Sequence, residues 1–254
     1  MDNLKKVIRL NVRQSKPDSR DLVYKSKNVK VPNSIDLRQY DSRIENQEDL
    51  GSCTANAITS CYEVMTKILY PTKFVELSRL FVYYHSRLYY DEIDLDHGSY
   101  IRDGLKSVKN YGVCSEDLWP YNPDNFTQQP QPRCYLDATY RKITNYTILY
   151  TNDEIKEVLS GKRPVVLGME IFFNFSNVEK NNPIVSMPNY ITYSLGMHAV
   201  LIMGYDDSTN MFLIKNSYGN NWGDNGYGYL PYDYVSNYGF ERWCFDISNS
   251  SSNL

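Results

Sequence analysis

The sequence predicts an α+β protein with two lobes, and three observations carry that expectation. Apolar residues recur at helical spacing through the first half of the chain. In the second half they gather into short β-type runs, with a proline-rich stretch between the two regions. No segment repeats elsewhere in the sequence. Helices first and strands second argue for two packed lobes rather than alternating β–α units. A chain of 254 residues is long enough for two compact halves that share an interface.

Taken in order, residues 1–31 are polar, rich in Lys and Arg and poorly periodic, which predicts an extended arm. From Thr54 to Tyr70, residues Ala57, Cys61, Val64, Met65, Ile68 and Leu69 fall at helical spacing, and Pro71 stops the pattern. A second helix is expected over 78–90, with Leu80, Phe81, Tyr84 and Leu88 on one face, and a third over 99–111 with Gly112 as its terminator. The stretch 119–133 holds Pro120, Pro123, Pro130 and Pro132 and reads as loop throughout. T-N-D-E at 151–154 makes a capping box that opens a short helix, closed by Gly161. Strands are then expected at RPVVLGMEI, HAVLIMGY, MFLIKNS, GYGYL and RWCFDI, with a turn at DDSTN. The implied organisation is an arm at 1–31, a mainly helical lobe at 32–138 and a mainly β lobe at 139–254.

Composition narrows the function classes. Hydrophobic residues at 42% and charged residues at 22% are ordinary for a folded domain with a real core. A net charge of −3 supplies no electrostatic pull toward nucleic acid or anionic lipid, so neither is expected as a partner. The first 21 residues lack the apolar run of a signal peptide or membrane span, so the sequence as given reads as cytoplasmic or otherwise non-secretory. The four N-x-[ST] sequons, at Asn125, Asn145, Asn174 and Asn249, then read as chance matches. Tyr and Asn number 24 each, a bias that tracks AT-rich genomes, those of large DNA viruses included. Five scattered cysteines (Cys53, Cys61, Cys114, Cys134, Cys244) form no disulfide framework, and without a C-x-x-C pair no zinc ribbon or redox motif is expected. No cofactor or metal is called for.

Chemistry concentrates at three places. Cys53 follows a Gly-Ser pair at the start of the first long helix, where the helix dipole and first-turn amides favour a thiolate. A lone cysteine beside a helix is, however, more often a small buried hydrophobe. Of the three histidines, His85 falls inside a helix and reads as a packing or surface residue, while His97 falls in a polar loop. His198 opens an apolar strand and is either a core residue or a base. The stretch NSYGNNWGDNGY at 216–227 reads as a glycine-rich hairpin tip or, functionally, as a place where Asn216 accepts an imidazole N–H and fixes its tautomer. In that reading Tyr218 and Trp222 wall the hydrogen bond off from water.

These three segments together resemble the papain family of cysteine peptidases, which includes the cathepsins. Its nucleophile motif Q-G-x-C-G-S-C-W reads here as Gln47 through Thr54, its H-A-V-x-x-x-G-Y as His198 through Tyr205, and its N-S-W-G-x-x-W-G-x-x-G-Y as Asn216 through Tyr227. The order Cys, His, Asn and the 145-residue gap from Cys53 to His198 fit the family's spacing of about 130–150 residues. Ser34 through Arg38 resembles the start of the mature enzymes, and the likeness covers roughly 32–248. It implies a two-lobe fold with a helical left lobe, a β-barrel-like right lobe and the active site in the cleft between them. It implies an endopeptidase working through a thiolate–imidazolium pair and an acyl-enzyme on protein or peptide substrates. The same triad also serves trimming or transpeptidation, and a silenced binding protein is the reading from another class.

The resemblance assigns Cys53 as nucleophile, His198 as base, Asn216 as its orienter and Gln47 as an oxyanion donor. Gly98 matches the glycine whose backbone pairs with extended substrate, and Met197 and Gly168 match positions lining the pocket for the second residue before the cut; Trp222 belongs to the same cleft. Because Met197 and Gly168 carry no charge, an apolar or aromatic residue is expected there. The departures are Leu50 for the motif's first cysteine, which removes a disulfide, Thr54 for Trp, and Tyr218 for Trp. The arm's KPDSRDLVY, at 16–24, resembles the short N-terminal segment of bacterial-type members, so residues 1–31 are a disordered tail or a short pro-segment. In the second case Asp18, Arg20 and Asp21 anchor it, and its deletion speeds thiol labelling with little change in melting point. Cys114 and Cys134 either pair around the proline-rich loop or remain buried thiols.

Overall fold

The computed structural model describes residues 12–248, so the first eleven residues of the expected arm lie outside the described residues. Strand β1 (Leu22–Val23) and strand β2 (Ser34–Asp36) come first, ahead of the helices. Helix α1 (Cys53–Leu69) is buried at every residue from Cys53 to Met65. The sequence pattern shows one apolar face, yet the helix is enclosed all round, because α2, α3 and the sheet pack on its different sides. Tyr70 leaves helical geometry just before Pro71, as expected.

Helix α2 (Arg79–Arg87) starts where the Ser78 hydroxyl accepts the Phe81 N–H at 3.1 Å, and a single 3-10 turn extends it to Tyr90. Helix α3 (Ile101–Asn110) ends before Gly112, whose φ is +85°. A Cβ there would lie 1.8 Å from the Ala138 carbonyl oxygen, so only glycine fits both the conformation and the space. The stretch 119–133 is not loop throughout. A 3-10 turn spans Pro123–Asn125, and α4 (Pro132–Ala138) begins at a proline. Proline in the first helical turn gives up an N–H that would be unpaired anyway, so the residue read as a breaker starts this helix.

Strand β3 (Ile143–Ile148) escapes the sequence pattern, since only its two ends are buried. Helix α5 (Asn152–Ser160) has the expected capping box, with Thr151 and Glu154 each bonding the other's backbone, and Gly161 caps its end. Strands β4 (Val165–Phe172), β5 (Ser194–Asp206), β6 (Met211–Lys215) and β7 (Tyr227–Pro231) follow. A short helix α6 (Tyr232–Tyr238) then precedes β8 (Gly239–Ile247).

The eight strands make one sheet in the order β1-β3-β8-β4-β5-β6-β7, with β2 on β5. Only β1 with β3 is parallel; the remaining pairs are antiparallel. Edge strands β1 and β7 do not pair with each other, so the expected barrel-like lobe is an open sheet. The two-residue β1 is too short to carry the hydrogen bonds that closure needs. β2 pairs with β5, and β1 with β3, so the N-terminal part of the chain is stitched into the sheet.

Helix α1 lies on β5, and their contact brings the helix start beside the strand that carries His198. Among the described residues all five cysteines are free thiols and buried, with Cys114 against Cys134 but unbonded. No helix among them is long and apolar enough to cross a membrane, and no group of His, Cys, Asp or Glu is placed to hold a metal ion.

Candidate active site

Cys53 is the first residue of α1 and is fully enclosed. Burial pushes its thiol up to about 12, opposed by the backbone N–H groups of Ala199, Thr54 and Cys53 itself, which turn toward the sulfur. The Ala199 amide belongs to the residue after His198, so β5 delivers the imidazole to the helix start. His198 is likewise 0% exposed. Burial pulls its imidazole down to about 4, with the hydrogen bond to Asn216 acting in the other direction. In this closed arrangement both groups therefore favour their neutral forms.

Asn216 follows β6 directly. Its Oδ1 lies 2.8 Å from His198 Nε2 and also accepts the Ser217 N–H at 2.8 Å. A backbone N–H can only donate, so the second bond fixes which way the amide points. His198 Nε2 must then carry the hydrogen, which leaves Nδ1 with a lone pair. Nδ1 is buried and has no hydrogen-bond partner. The ring stands 4.8 Å from the Tyr218 ring and edge-on to Phe175 at 5.6 Å. Trp222 backs this cage rather than lining open cleft. Its ring lies 5.0 Å from Phe175, and its Nε1 donates to the Phe175 carbonyl at 3.1 Å. Phe175, which the sequence reading missed, thus touches both the imidazole and the tryptophan; its hydrophobic run carries no motif that marks it.

Gln47 is fully buried across from this cage. Its Oε1 accepts the Ser217 hydroxyl at 2.6 Å, and its Nε2 donates to the Leu50 carbonyl at 3.0 Å, which leaves one of two amide hydrogens free. The Gly51 N–H donates to Asp96, whose carboxylate also accepts the Tyr83 hydroxyl.

The remaining predicted positions surround the arm. Consecutive N–H groups of Val12 and Arg13 donate to opposite walls, to the Met197 carbonyl at 3.3 Å and the Ser99 carbonyl at 3.2 Å. Gly98 is buried with φ +73° and turns the chain into Ser99, so the pairing falls one residue beyond the glycine. The hydroxyl of Ser99 in turn meets that of Thr54, next to Cys53. Gly168 pairs with Ala199 on one side and Glu241 on the other. A Cβ on Gly168 would come within 2.9 Å of Ile101 and 2.8 Å of Phe240, so those two side chains fill the space expected to be open. Glu241 was also missed. It is buried, and its carboxylate accepts the Trp243 Nε1–H at 2.8 Å and the Ser15 N–H of the arm at 2.5 Å.

The arm is anchored further along. Arg102 holds Asp21 at 2.6 Å and the Lys16 carbonyl at 2.8 Å. Glu157 accepts the Ser26 hydroxyl at 2.6 Å and the Lys27 N–H at 2.7 Å. Of the three expected anchors, Asp21 reaches the body, whereas Asp18 and Arg20 bond each other.

Comparison with known proteins agrees with this geometry. Residues 31–244 match the papain family of cysteine proteases. An uncharacterised peptidase C1-like protein of Acanthamoeba polyphaga mimivirus is 35% identical over 253 residues, covering 88% of this chain and 81% of that protein. Cathepsin S of Bos taurus is 29% identical over 82% of this chain, which spans only 62% of the bovine protein. Among solved structures, xylellain, a cysteine protease of Xylella fastidiosa, superposes with a TM-score of 0.85 at 31% identity, covering 93% of this chain and 95% of xylellain. With a buried thiol at a helix start, an imidazole fixed by an asparagine, and that family match across most of its length, the chain belongs to the papain family of cysteine proteases.

Proposed function

We propose that the protein is an endopeptidase in which Cys53 is the nucleophile, His198 the base and Asn216 the residue that orients it. The observation that carries this reading is the pairing of His198 Nε2 with Asn216 Oδ1, which leaves the Nδ1 lone pair buried and unpartnered, next in the chain to Ala199, whose N–H faces the Cys53 sulfur. Nδ1 takes the thiol proton, and the sulfur attacks the scissile carbonyl carbon. A C–S bond forms as the carbonyl π pair moves onto oxygen. The Cys53 N–H and the free hydrogen of Gln47 Nε2 donate to that oxyanion, one such donor being worth about 3–4 kcal/mol. The imidazolium then protonates the departing amine, and water hydrolyses the thioester.

Residues 1–31 act in this proposal as a pro-segment. Val12 and Arg13 tie the two walls together across the neighbours of Cys53 and His198, and withdrawing them admits substrate and water to the pair. The Tyr- and Asn-rich composition and the mimivirus relative support an origin in a large DNA virus. Protein or peptide substrates follow from the family.

Iodoacetamide labelling followed by mass spectrometry tests the assignment. Modification of Cys53 ahead of the other four thiols is expected, slow while the arm is in place, with Cys53→Ala abolishing hydrolysis of a denatured protein and leaving the fold intact. Loss of activity in Cys61→Ala or Cys244→Ala instead overturns it. Deleting residues 1–31 is expected to raise the labelling rate at least tenfold; equal rates leave only the tail reading. The melting point is a second readout. The anchoring contacts of Asp21, Ser26 and Lys27 and the burial of Val12 argue for a drop of several degrees, in place of the near-constant value expected from sequence.

A further inference from the structure

Ser52 is the N-cap residue of α1, yet its side chain makes no capping hydrogen bond. Serine is favoured at that position because its oxygen accepts an N–H of the first turn. Here the hydroxyl is directed elsewhere, to the Tyr121 hydroxyl at 2.6 Å. Tyr121 comes from the proline-rich stretch, and its hydroxyl donates to the Gln47 carbonyl at 2.8 Å. One tyrosine oxygen therefore bridges the two ends of the 47–52 loop, which runs from the predicted oxyanion side chain to the residue before the nucleophile.

The direction of every bond in this chain is fixed by its members. Tyr121 spends its one hydrogen on the Gln47 carbonyl, so Ser52 donates to Tyr121 and itself accepts from Asn56 Nδ2 at 3.1 Å. Asn56 Oδ1 accepts from Arg79 at 3.3 Å. Arg79 is buried between Glu45 at 2.9 Å and Glu116 at 3.3 Å, and its guanidinium lies 3.9 Å over the Tyr121 ring. Glu116 also accepts the Tyr121 N–H at 2.8 Å. A single run of donors thus leads from a buried cation to a loop carbonyl, each bond polarising the next.

We infer that Tyr121 is a positioning residue for the oxyanion hole: its hydroxyl holds the Gln47 backbone and Ser52 at a set separation, so that the Gln47 amide and the Cys53 N–H converge on one point. An oxyanion donor acts only when its hydrogen is aimed before the charge develops, and a shift of about 1 Å is enough to lose most of the effect. The inference rests on the peptidase reading of Cys53 and Gln47, and the experiment separates the two.

Two reactions at Cys53 are measured on the full chain, with the same arm in each variant so that its restriction cancels in the ratios. Peptide hydrolysis passes through an oxyanion. Alkylation by iodoacetamide displaces iodide from carbon and forms none, so it reads only the thiol and its base. Tyr121→Phe keeps the ring over Arg79 and removes the hydroxyl. Its kcat is expected to fall about tenfold, with KM and the alkylation rate within twofold of the unaltered chain. Ser52→Ala leaves the Tyr121–Gln47 bond and loses less. Adding Tyr121→Phe to Gln47→Ala is expected to cost well under the tenfold it costs alone, because one of the two donors to be aimed is already gone. Equal falls in hydrolysis and alkylation, no change in either, or a full tenfold loss added to Gln47→Ala each overturns the inference. Hydrolysis by the unaltered chain and its loss in Cys53→Ala test the underlying peptidase reading separately.

Discussion

The two sides that meet at Cys53 and His198 are held by different physics. On the helical side, residues 47–56 are fixed by directional polar bonds that run from Arg79 through Asn56, Ser52 and Tyr121 to Gln47. On the sheet side, His198 sits between Phe175 and Tyr218, with Trp222 backing Phe175, and one hydrogen bond to Asn216 sets its rotation. The difference matches the work each wall does in the proposed reaction. Donors to an oxyanion must be aimed in advance, which hydrogen bonds accomplish. A base must be kept from water and still pass a proton each way, which an aromatic cage with one polar anchor allows.

Variants can break that comparison, because hydrolysis samples both walls and alkylation only one. His198→Ala is expected to have the largest effect, with hydrolysis down by 10⁴-fold or more and alkylation slowed as well. Gln47→Ala comes next, about 10²–10³-fold in hydrolysis with alkylation nearly unchanged. Asn216→Ala is milder, on the order of 10–100-fold, but it slows both reactions together because it misorients the base they share. If Gln47→Ala slows alkylation as much as hydrolysis, the walls are not separable and the division of labour fails.

Smaller effects sharpen the picture through acidity. Burial pulls both His85 and His198 down to about 4. An unfolded histidine takes up its proton near 6.5, so below that pH the unfolded chain binds more protons. The stability these two residues allow is therefore full above about 6.5 and falls as the pH drops toward 4. Glu63, pushed up to about 7 by burial, acts in the opposite sense, and its contribution is lost as the pH rises through that value. Melting points should decline from pH 6 to pH 4. His85 packs among Phe81, Tyr84, Tyr111 and Tyr135, so His85→Phe fits that cluster and should reduce the decline without altering hydrolysis. An unchanged acid slope in that variant removes His85 from the account.

The smallest expected effect concerns selectivity. Ile101 and Phe240 fill the space beside Gly168, so in the proposed reaction a substrate side chain that pushes in there meets apolar neighbours, and its burial would contribute roughly 1.5–3 kcal/mol. A peptide library should favour apolar or aromatic residues two positions before the cut. Strong selection for arginine would instead identify Glu241, whose carboxylate loses the Ser15 N–H when the arm leaves.

Much of this molecule is legible one segment at a time. The capping box at Thr151, the stop at Pro71 and the left-handed turn at Gly112 each depend on residues a few positions apart. The misses share a cause as well. Pro132 looks like a breaker unless its place in the first helical turn is known. β3 hides because only its ends are buried, and Phe175 and Glu241 acquire meaning only from neighbours dozens of residues away.

The sequence by itself supplied the candidates for chemistry: a cysteine at a helix start, a histidine expected to open a strand (β5 in fact begins four residues earlier, at Ser194) and an asparagine just past another, in the order and spacing of the papain family. That much is local, because helix dipoles, caps and side-chain donors are properties of residue type and short-range position. Tertiary structure alone decided that the sheet stays open, that the arm bridges Met197 and Ser99, and that the serine before Cys53 bonds a tyrosine 69 positions away. Those outcomes depend on which surfaces meet once the lobes pack, and no local pattern encodes the partner of a hydroxyl that has left its own helix.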